Sequence, residues 1–214
     1  IEKIKAKNPK GIIFTGGPAN VYLEDSPKCD PEIFNLGIPI LGICYGMQLM
    51  THTLGGEVKR ADKREYGVTE VEINNSSKIF EGFGNTNNFL MSHTDYVDVL
   101  PEGFVNLGST ETCPNAAMAN EERKLYGIQF HPEVNNSVNG TQVIKNFLYN
   151  VCECSGDWVM SSFVEDSIKA LKEKHNSELE TLDKRVKKTE DNLSWIWKTI
   201  AGVIITAIVG LILV

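Results

Sequence analysis

The stretch Ile38-Pro39-Ile40-Leu41-Gly42-Ile43-Cys44-Tyr45-Gly46 leaves this chain few ways to fold. Its apolar first half reads as a buried strand, and Met47 to Leu54, stopped by Gly55-Gly56, reads as a helix. Cys44 therefore falls at a strand-to-helix turn. Such a turn strains the backbone of its central residue and lifts the side chain out of the sheet. Glycines are needed on both sides because a Cβ there would clash. The same turn puts the sulfur at a helix N-terminus, where peptide dipoles favour thiolate over thiol. A buried cysteine in an apolar strand is the plainer alternative.

The rest of the first 150 residues alternates strands with helices. Gly11 to Phe14 is an apolar strand entering the turn Thr15-Gly16-Gly17-Pro18, and Pro31 to Leu36 reads as a short helix. From Glu57 to Val99 short alternating pieces such as Val71-Glu72-Ile73 and Val97-Asp98-Val99 predict a strand-rich region, with Ser92-His93-Thr94-Asp95 on a loop. Val105 to Leu107, Ala116 to Met118 and Leu125 to Phe130 are further strands, and Gly140 to Val151 is a helix. The expected fold is α/β, an open, mostly parallel sheet with flanking helices. A net charge of -7 argues against a nucleic-acid surface, and no nucleic-acid partner is expected. Five cysteines, an odd number, suit a reducing compartment better than a disulfide framework. Ile1 to Lys10 shows no strand or cap, and a start at Ile1 suggests a fragment or a processed product.

Beyond Trp158 the composition shifts. Residues 169–192 are dense in Lys and Glu, with Leu179, Leu182, Val186, Thr189, Leu193 and Ile196 at steps of three and four. That stripe suits a coiled coil and a homo-oligomer through residues 179–196; a lone amphipathic helix is the alternative. Residues 193–214 carry one charge, Lys198. At about 1.5 Å per residue they span about 33 Å, enough for a hydrocarbon core of about 30 Å. A C-terminal transmembrane helix is expected, anchoring a cytoplasmic domain, because Arg185, Lys187 and Lys188 lie on its N-terminal flank.

A cysteine at an elbow needs a base, and the base needs a group to hold its tautomer. His131 and Glu133 qualify. They follow a strand, and one residue of separation lets both side chains leave on the same side of an extended segment.

Three ordered motifs, Thr15-Gly16-Gly17-Pro18, Gly42 to Gln48 and Tyr126 to Val134, resemble the class I glutamine amidotransferases, which have a flavodoxin-like sheet. Lys63-Arg64-Glu65-Tyr66-Gly67, Asn135 to Thr141 and Cys154 to Trp158 narrow the likeness to the glutaminase domain of GMP synthases. The resemblance implies an enzyme that hydrolyses glutamine, with Cys44 as nucleophile, His131 as acid and base, and Glu133 orienting His131. It implies an oxyanion met by the main-chain N–H groups of Gly17 and Tyr45. Gln48, Ser92, His93, Thr94 and Asp95 would line the glutamine pocket, where Thr94 replaces a usual glycine and so narrows the approach. In that family the ammonia passes to an ATP-pyrophosphatase domain, or a separate synthetase subunit, that adenylylates XMP. No phosphate loop follows Trp158, so ATP and Mg would belong to that other part and no cofactor is expected in this chain. The family's first strand is also missing before Ile1. The division expected is an amidotransferase domain at 1–152, a linker remnant at 153–168, the charged helix at 169–192 and the span at 193–214. Leu171 onward is similar to the membrane tail of XhlA-type phage haemolysins, and the alternative function is a membrane-anchored haemolysin-like or holin-accessory protein with an inactive amidotransferase passenger.

Overall fold

The computed structural model describes residues 1–157 and 159–212, without the side chains of residues 62, 63 and 202–212. It divides into two units, Ile1–Gly156 and Asp157–Val214.

The first unit is built on a seven-stranded sheet in the order β1-β2-β7-β6-β5-β3-β4. The strands are β1 (Ile12–Phe14), β2 (Ile40–Ile43), β3 (Glu57–Ile73), β4 (Thr86–Val99), β5 (Val105–Ser109), β6 (Ala117–Asn120) and β7 (Leu125–Ile128). Three helices accompany them: α1 (Glu2–Lys7), α2 (Tyr45–Thr53) and α3 (Gly140–Asn146). The expected elbow appears as β2 running into α2, and β2 is buried along its whole length between β1 and β7, both parallel to it.

Two expectations change. The sheet is mixed rather than mostly parallel, because the pairs β7·β6, β6·β5, β5·β3 and β3·β4 are all antiparallel. Chain length explains this: the connections from β5 to β6 and from β6 to β7 are too short for a crossover helix, and only hairpins join strands so close in sequence. The region from Glu57 to Val99 is also not a set of short pieces but two long strands, so Ser92 to Asp95 lie within β4 and not on a loop. A register shift between Arg60 and Glu65 interrupts the β3·β4 ladder. The residues near Ile1, which show no strand or side-chain cap, form α1, which ends on Asn8 in the left-handed conformation (φ 44°).

Apolar side chains fill both faces of the sheet. On one, Phe89 stacks on Phe130 with ring centroids 3.9 Å apart, packed with Phe80 and Phe147. On the other, Ile40, Met47, Met50 and Met118 join β2 and α2 to the middle of the sheet.

The second unit is one helix, α4 (Met160–Ile212). Its stripe at Leu179, Leu182, Val186, Leu193 and Ile196 is exposed. The expected membrane span at 193–214 is not found: among the described residues no helix is long and apolar enough to cross a membrane. Lys198 is the one charge in that stretch, and its apolar residues 202–214 lie outside the described side chains.

Candidate active site

Gly42 and Gly46 bracket Cys44 because nothing larger fits. A Cβ on Gly42 would lie 2.6 Å from the main chain of Gly46 and Met47, and one on Gly46 would lie 2.4 Å from the Phe14 carbonyl oxygen. Cys44 takes φ 51° and ψ -108°, a conformation L-residues rarely adopt. Its surroundings hold it there: the Cys44 N–H donates to the Ile128 carbonyl at 2.8 Å, and its own carbonyl accepts from the Gln48 N–H at 3.2 Å.

His131 leaves the end of β7 with its N–H donating to the Leu90 carbonyl at 3.0 Å. Its Nδ1 is 2.7 Å from Glu133 Oε1, which leaves the other ring nitrogen for a second partner. Gly16 shows where that partner is. A Cβ there would sit 3.1 Å from His131 Cε1 and 3.6 Å from Cys44 Cβ, so cysteine and imidazole flank the same glycine. A hydrogen bond with Cys44 is the main cause that lifts His131 to a pKa of about 9; burial opposes the shift, and the Glu133 hydrogen bond and the charges of both neighbours add to it. Cys44 Sγ also lies 3.9 Å from the Ser92 carbonyl oxygen.

A cavity of 430 Å³ opens over Cys44 and His131. Of the other residues singled out from sequence, Gly17, Gln48, Ser92, His93, Thr94 and Asp95 line it; Tyr45 and Glu133 do not. The Tyr45 side chain points elsewhere, donating from its hydroxyl to the Pro27 carbonyl at 2.6 Å. Its main-chain N–H opens α2 and has no acceptor within the helix. Gln48 Nε2 and both ring nitrogens of His93 are already engaged inside the protein. Gln48 Nε2 donates to the Asp95 carbonyl (2.8 Å) and to Gln129 Oε1 (3.1 Å), while His93 Nδ1 meets that same carbonyl (3.0 Å) and its Nε2 meets Glu65 Oε2 (2.8 Å). The Asp95 carboxylate accepts from Asn20 Nδ2 and, at 3.4 Å, from the Tyr22 hydroxyl. Thr94 Oγ1 is 3.3 Å from the Tyr66 hydroxyl, so this side chain turns toward the neighbouring strand.

Asn20 and Tyr66 also line the cavity, and the sequence reading assigns neither a role. Tyr66 belongs to the run Lys63 to Gly67 that carries part of the family resemblance, which is its only signal; nothing around Asn20 marks it. Glu65, His93 and Cys113 bring three ligand-type atoms within 4.8 Å of one another. Both Glu65 oxygens accept hydrogen bonds, and burial, followed by the charge of Glu65, pushes the Cys113 thiol up to about 12.

Comparison with known proteins decides the family. The model of the family described as glutamine amidotransferase class-I matches residues 1–151. The chain belongs to the class I glutamine amidotransferases. Its domain is of the GMP synthase type: it is 58% identical over 174 residues to a glutamine-hydrolysing GMP synthase of Acetivibrio thermocellus, and 57% identical to one of Clostridium botulinum. Each alignment covers 81% of this chain and 34% of the relative, so the chain spans about a third of the length of these relatives. Among solved structures, a protein from Thermoplasma acidophilum described as one subunit of a GMP synthase superposes with a TM-score of 0.62 at 29% identity, covering 72% of this chain and 77% of that one. A glutamine amidotransferase from Thermotoga maritima gives 0.51 at 27%, covering 64% and 62%. The haemolysin-like reading of the tail finds no counterpart in these matches.

Proposed function

We propose that the domain hydrolyses glutamine to glutamate and ammonia through Cys44, His131 and Glu133, and that the ammonia serves a synthetase that aminates XMP to GMP. The observation that carries this is the meeting of a strained cysteine and a raised-pKa histidine at the floor of a 430 Å³ cavity, with Glu133 on the histidine's far side. His131 takes the Cys44 proton, and the thiolate attacks the side-chain amide carbon of glutamine. The oxyanion forms against the main-chain N–H groups at Gly17 and Tyr45. Protonated His131 then delivers its proton to the nitrogen as the C–N bond breaks, and ammonia leaves. A water molecule, deprotonated by His131, attacks the γ-glutamyl thioester; its C–S bond breaks, glutamate departs and Cys44 recovers its proton. The raised pKa of His131 suits the acid half of this cycle, in which the ring holds the proton it has taken from Cys44.

Covalent labelling with a glutamine-like diazo ketone tests the reading. One equivalent on the wild-type chain and none on Cys44→Ala is expected, together with glutamate release from glutamine by the wild type alone. A folded wild type that takes up no label refutes it.

A further inference from the structure

Glu65 and His93 face each other across the β3·β4 ladder immediately after its register shift, and both side chains are buried, with exposures of 10% and 2%. Neither carries out a step of the chemistry described above. Burying such a pair is costly unless every polar atom is satisfied, and here each is. Glu65 Oε1 accepts from the hydroxyls of Thr110 (2.6 Å) and Thr112 (2.5 Å), while Oε2 is 2.8 Å from His93 Nε2. Burial pushes the Glu65 carboxyl up, but the hydrogen bonds from Thr110, Thr112 and His93 and the attraction of His93 outweigh it and hold Glu65 below the usual carboxylate range.

The other end of the imidazole shows what the pair does. His93 Nδ1 is 3.0 Å from the Asp95 carbonyl oxygen, which can only accept, so Nδ1 carries a proton and donates. The same carbonyl accepts from Gln48 Nε2 at 2.8 Å. Gln48 lies one turn beyond Cys44 on α2, and its Nε2 also donates to Gln129, two residues before His131. A continuous hydrogen-bonded line thus runs from Thr110 and Thr112 through Glu65, His93 and the Asp95 carbonyl to Gln48 and Gln129. It fixes the wall of the cavity formed by Gln48 and the β4 segment, and Asp95 in turn holds Asn20 and Tyr22.

We infer that Glu65 and His93 are positioning residues that set glutamine affinity by clamping the Asp95 carbonyl and, through it, the Gln48 side chain. This rests on the glutaminase reading. The imidazole is pinned at both ends, so Asp95 O stays where Gln48 needs it. Without that grip the Gln48 amide and the β4 segment from Ser92 to Asp95 lose their common anchor, and the cavity wall shifts. The triad keeps its own bonds, because the contact between His131 and Glu133 and the turn that holds Cys44 involve neither Glu65 nor His93.

Three variants of the full chain separate positioning from bulk stability. His93→Asn keeps a donor at the Nδ1 place and drops the Glu65 contact, whereas His93→Gln reaches Glu65 and gives up the donor to Asp95. Glu65→Gln removes the carboxylate that orients the ring. Glutamine KM is expected to rise roughly tenfold in His93→Gln and Glu65→Gln and to stay within about threefold in His93→Asn, a range set by how steeply misplacement of a binding group costs activity. Alkylation of Cys44 by iodoacetamide, which needs no glutamine pocket, is expected to match wild type in all three. A KM that is unchanged, or that rises equally in the Asn and Gln variants of His93, overturns the inference. So does an alkylation rate that falls in step with activity. If both His93 variants fail to fold, Glu65→Gln decides by the same KM criterion. A wild type without glutaminase activity overturns the parent reading and this one with it, and is distinguished by the wild-type assay alone.

Discussion

Replacing Gly46 by alanine tests whether close packing of α2 against β1 is what holds Cys44 in place. The new Cβ would stand 2.4 Å from the Phe14 carbonyl oxygen, 2.6 Å from Phe14 Cβ and 2.8 Å from its carbonyl carbon. All three belong to a strand residue paired with Gly42, so no flexible side-chain end can swing aside. A carbon meets a carbonyl oxygen comfortably at about 3.3 Å, and α2 must therefore retreat from β1 by about 0.9 Å. Overpacking of this kind costs about 1–3 kcal/mol. Taking the middle of that range, Tm should fall by about 4–8 °C for a chain of this size. Because Cys44 is the residue from which α2 starts, the same retreat moves the sulfur relative to His131, and a misplacement near 1 Å costs about 100-fold in rate. Thermal melts and glutaminase kcat/KM measured on Gly46→Ala and on Gly55→Ala provide the comparison. Gly55 has φ 87° with nothing within 4 Å of an added Cβ, so its alanine variant should lose stability through backbone strain while keeping wild-type activity. A Gly46→Ala protein with wild-type Tm and rate would refute the argument that contact with Phe14 sets the elbow.

Other perturbations read the charges. The folded pKa of His131, about 9, lies above its unfolded value, so the stability it contributes is fully present below about pH 6.5 and is lost as pH rises through 9. Wild type should lose stability across that window relative to its best value, and His131→Gln should show a flatter profile in denaturant titrations at each pH. Glu133→Gln keeps a hydrogen-bond acceptor for Nδ1 but removes a half-exposed charge; kcat should fall roughly tenfold and the pH at which His131 deprotonates should drop, measured by NMR of the imidazole protons. Glu65 runs in the opposite sense: its folded value lies below the unfolded one, so its contribution is present above the unfolded carboxylate range and is lost as pH falls through the folded value. Acid unfolding of Glu65→Gln should begin from lower stability at neutral pH and depend less steeply on pH than wild type.

Local signals and fold geometry were legible to different degrees. The elbow, the apolar strand before it and the helix after it are properties of a few neighbouring residues, and these appear where the sequence places them. Strand direction is not local. Val105 to Leu107, Ala116 to Met118 and Leu125 to Ile128 read equally well as parallel or antiparallel partners, and only the shortness of the links between them selects hairpins. The β3·β4 pair was obscured for a different reason. Its two strands carry charged and polar residues such as Lys59, Arg60, Glu70 and Asn88 on exposed positions, which breaks the apolar alternation into fragments that resemble separate short strands.

The site shows the same division between what a motif carries and what pairing assembles. Cys44, His131 and the Gly16-Gly17 turn stand at the ends of three parallel neighbours, β2, β7 and β1, so motifs about 90 residues apart in sequence converge because those strands lie side by side. Chemistry that depends on strand ends is therefore readable from motifs once the strands are recognised. The wall formed by β4 is different, because it depends on register. Glu65 meets His93 only because the ladder slips between Arg60 and Glu65, and moving β3 by one residue would turn Glu65 away from His93. A sequence offers no direct sign of such a slip, so it marks His93 as a pocket residue, which it is, without showing that its ring spends both nitrogens on Asp95 and Glu65. The meeting of Cys44, His131 and Glu133 is written in motifs; the cavity wall that carries His93 is written in the pairing of two long, polar strands.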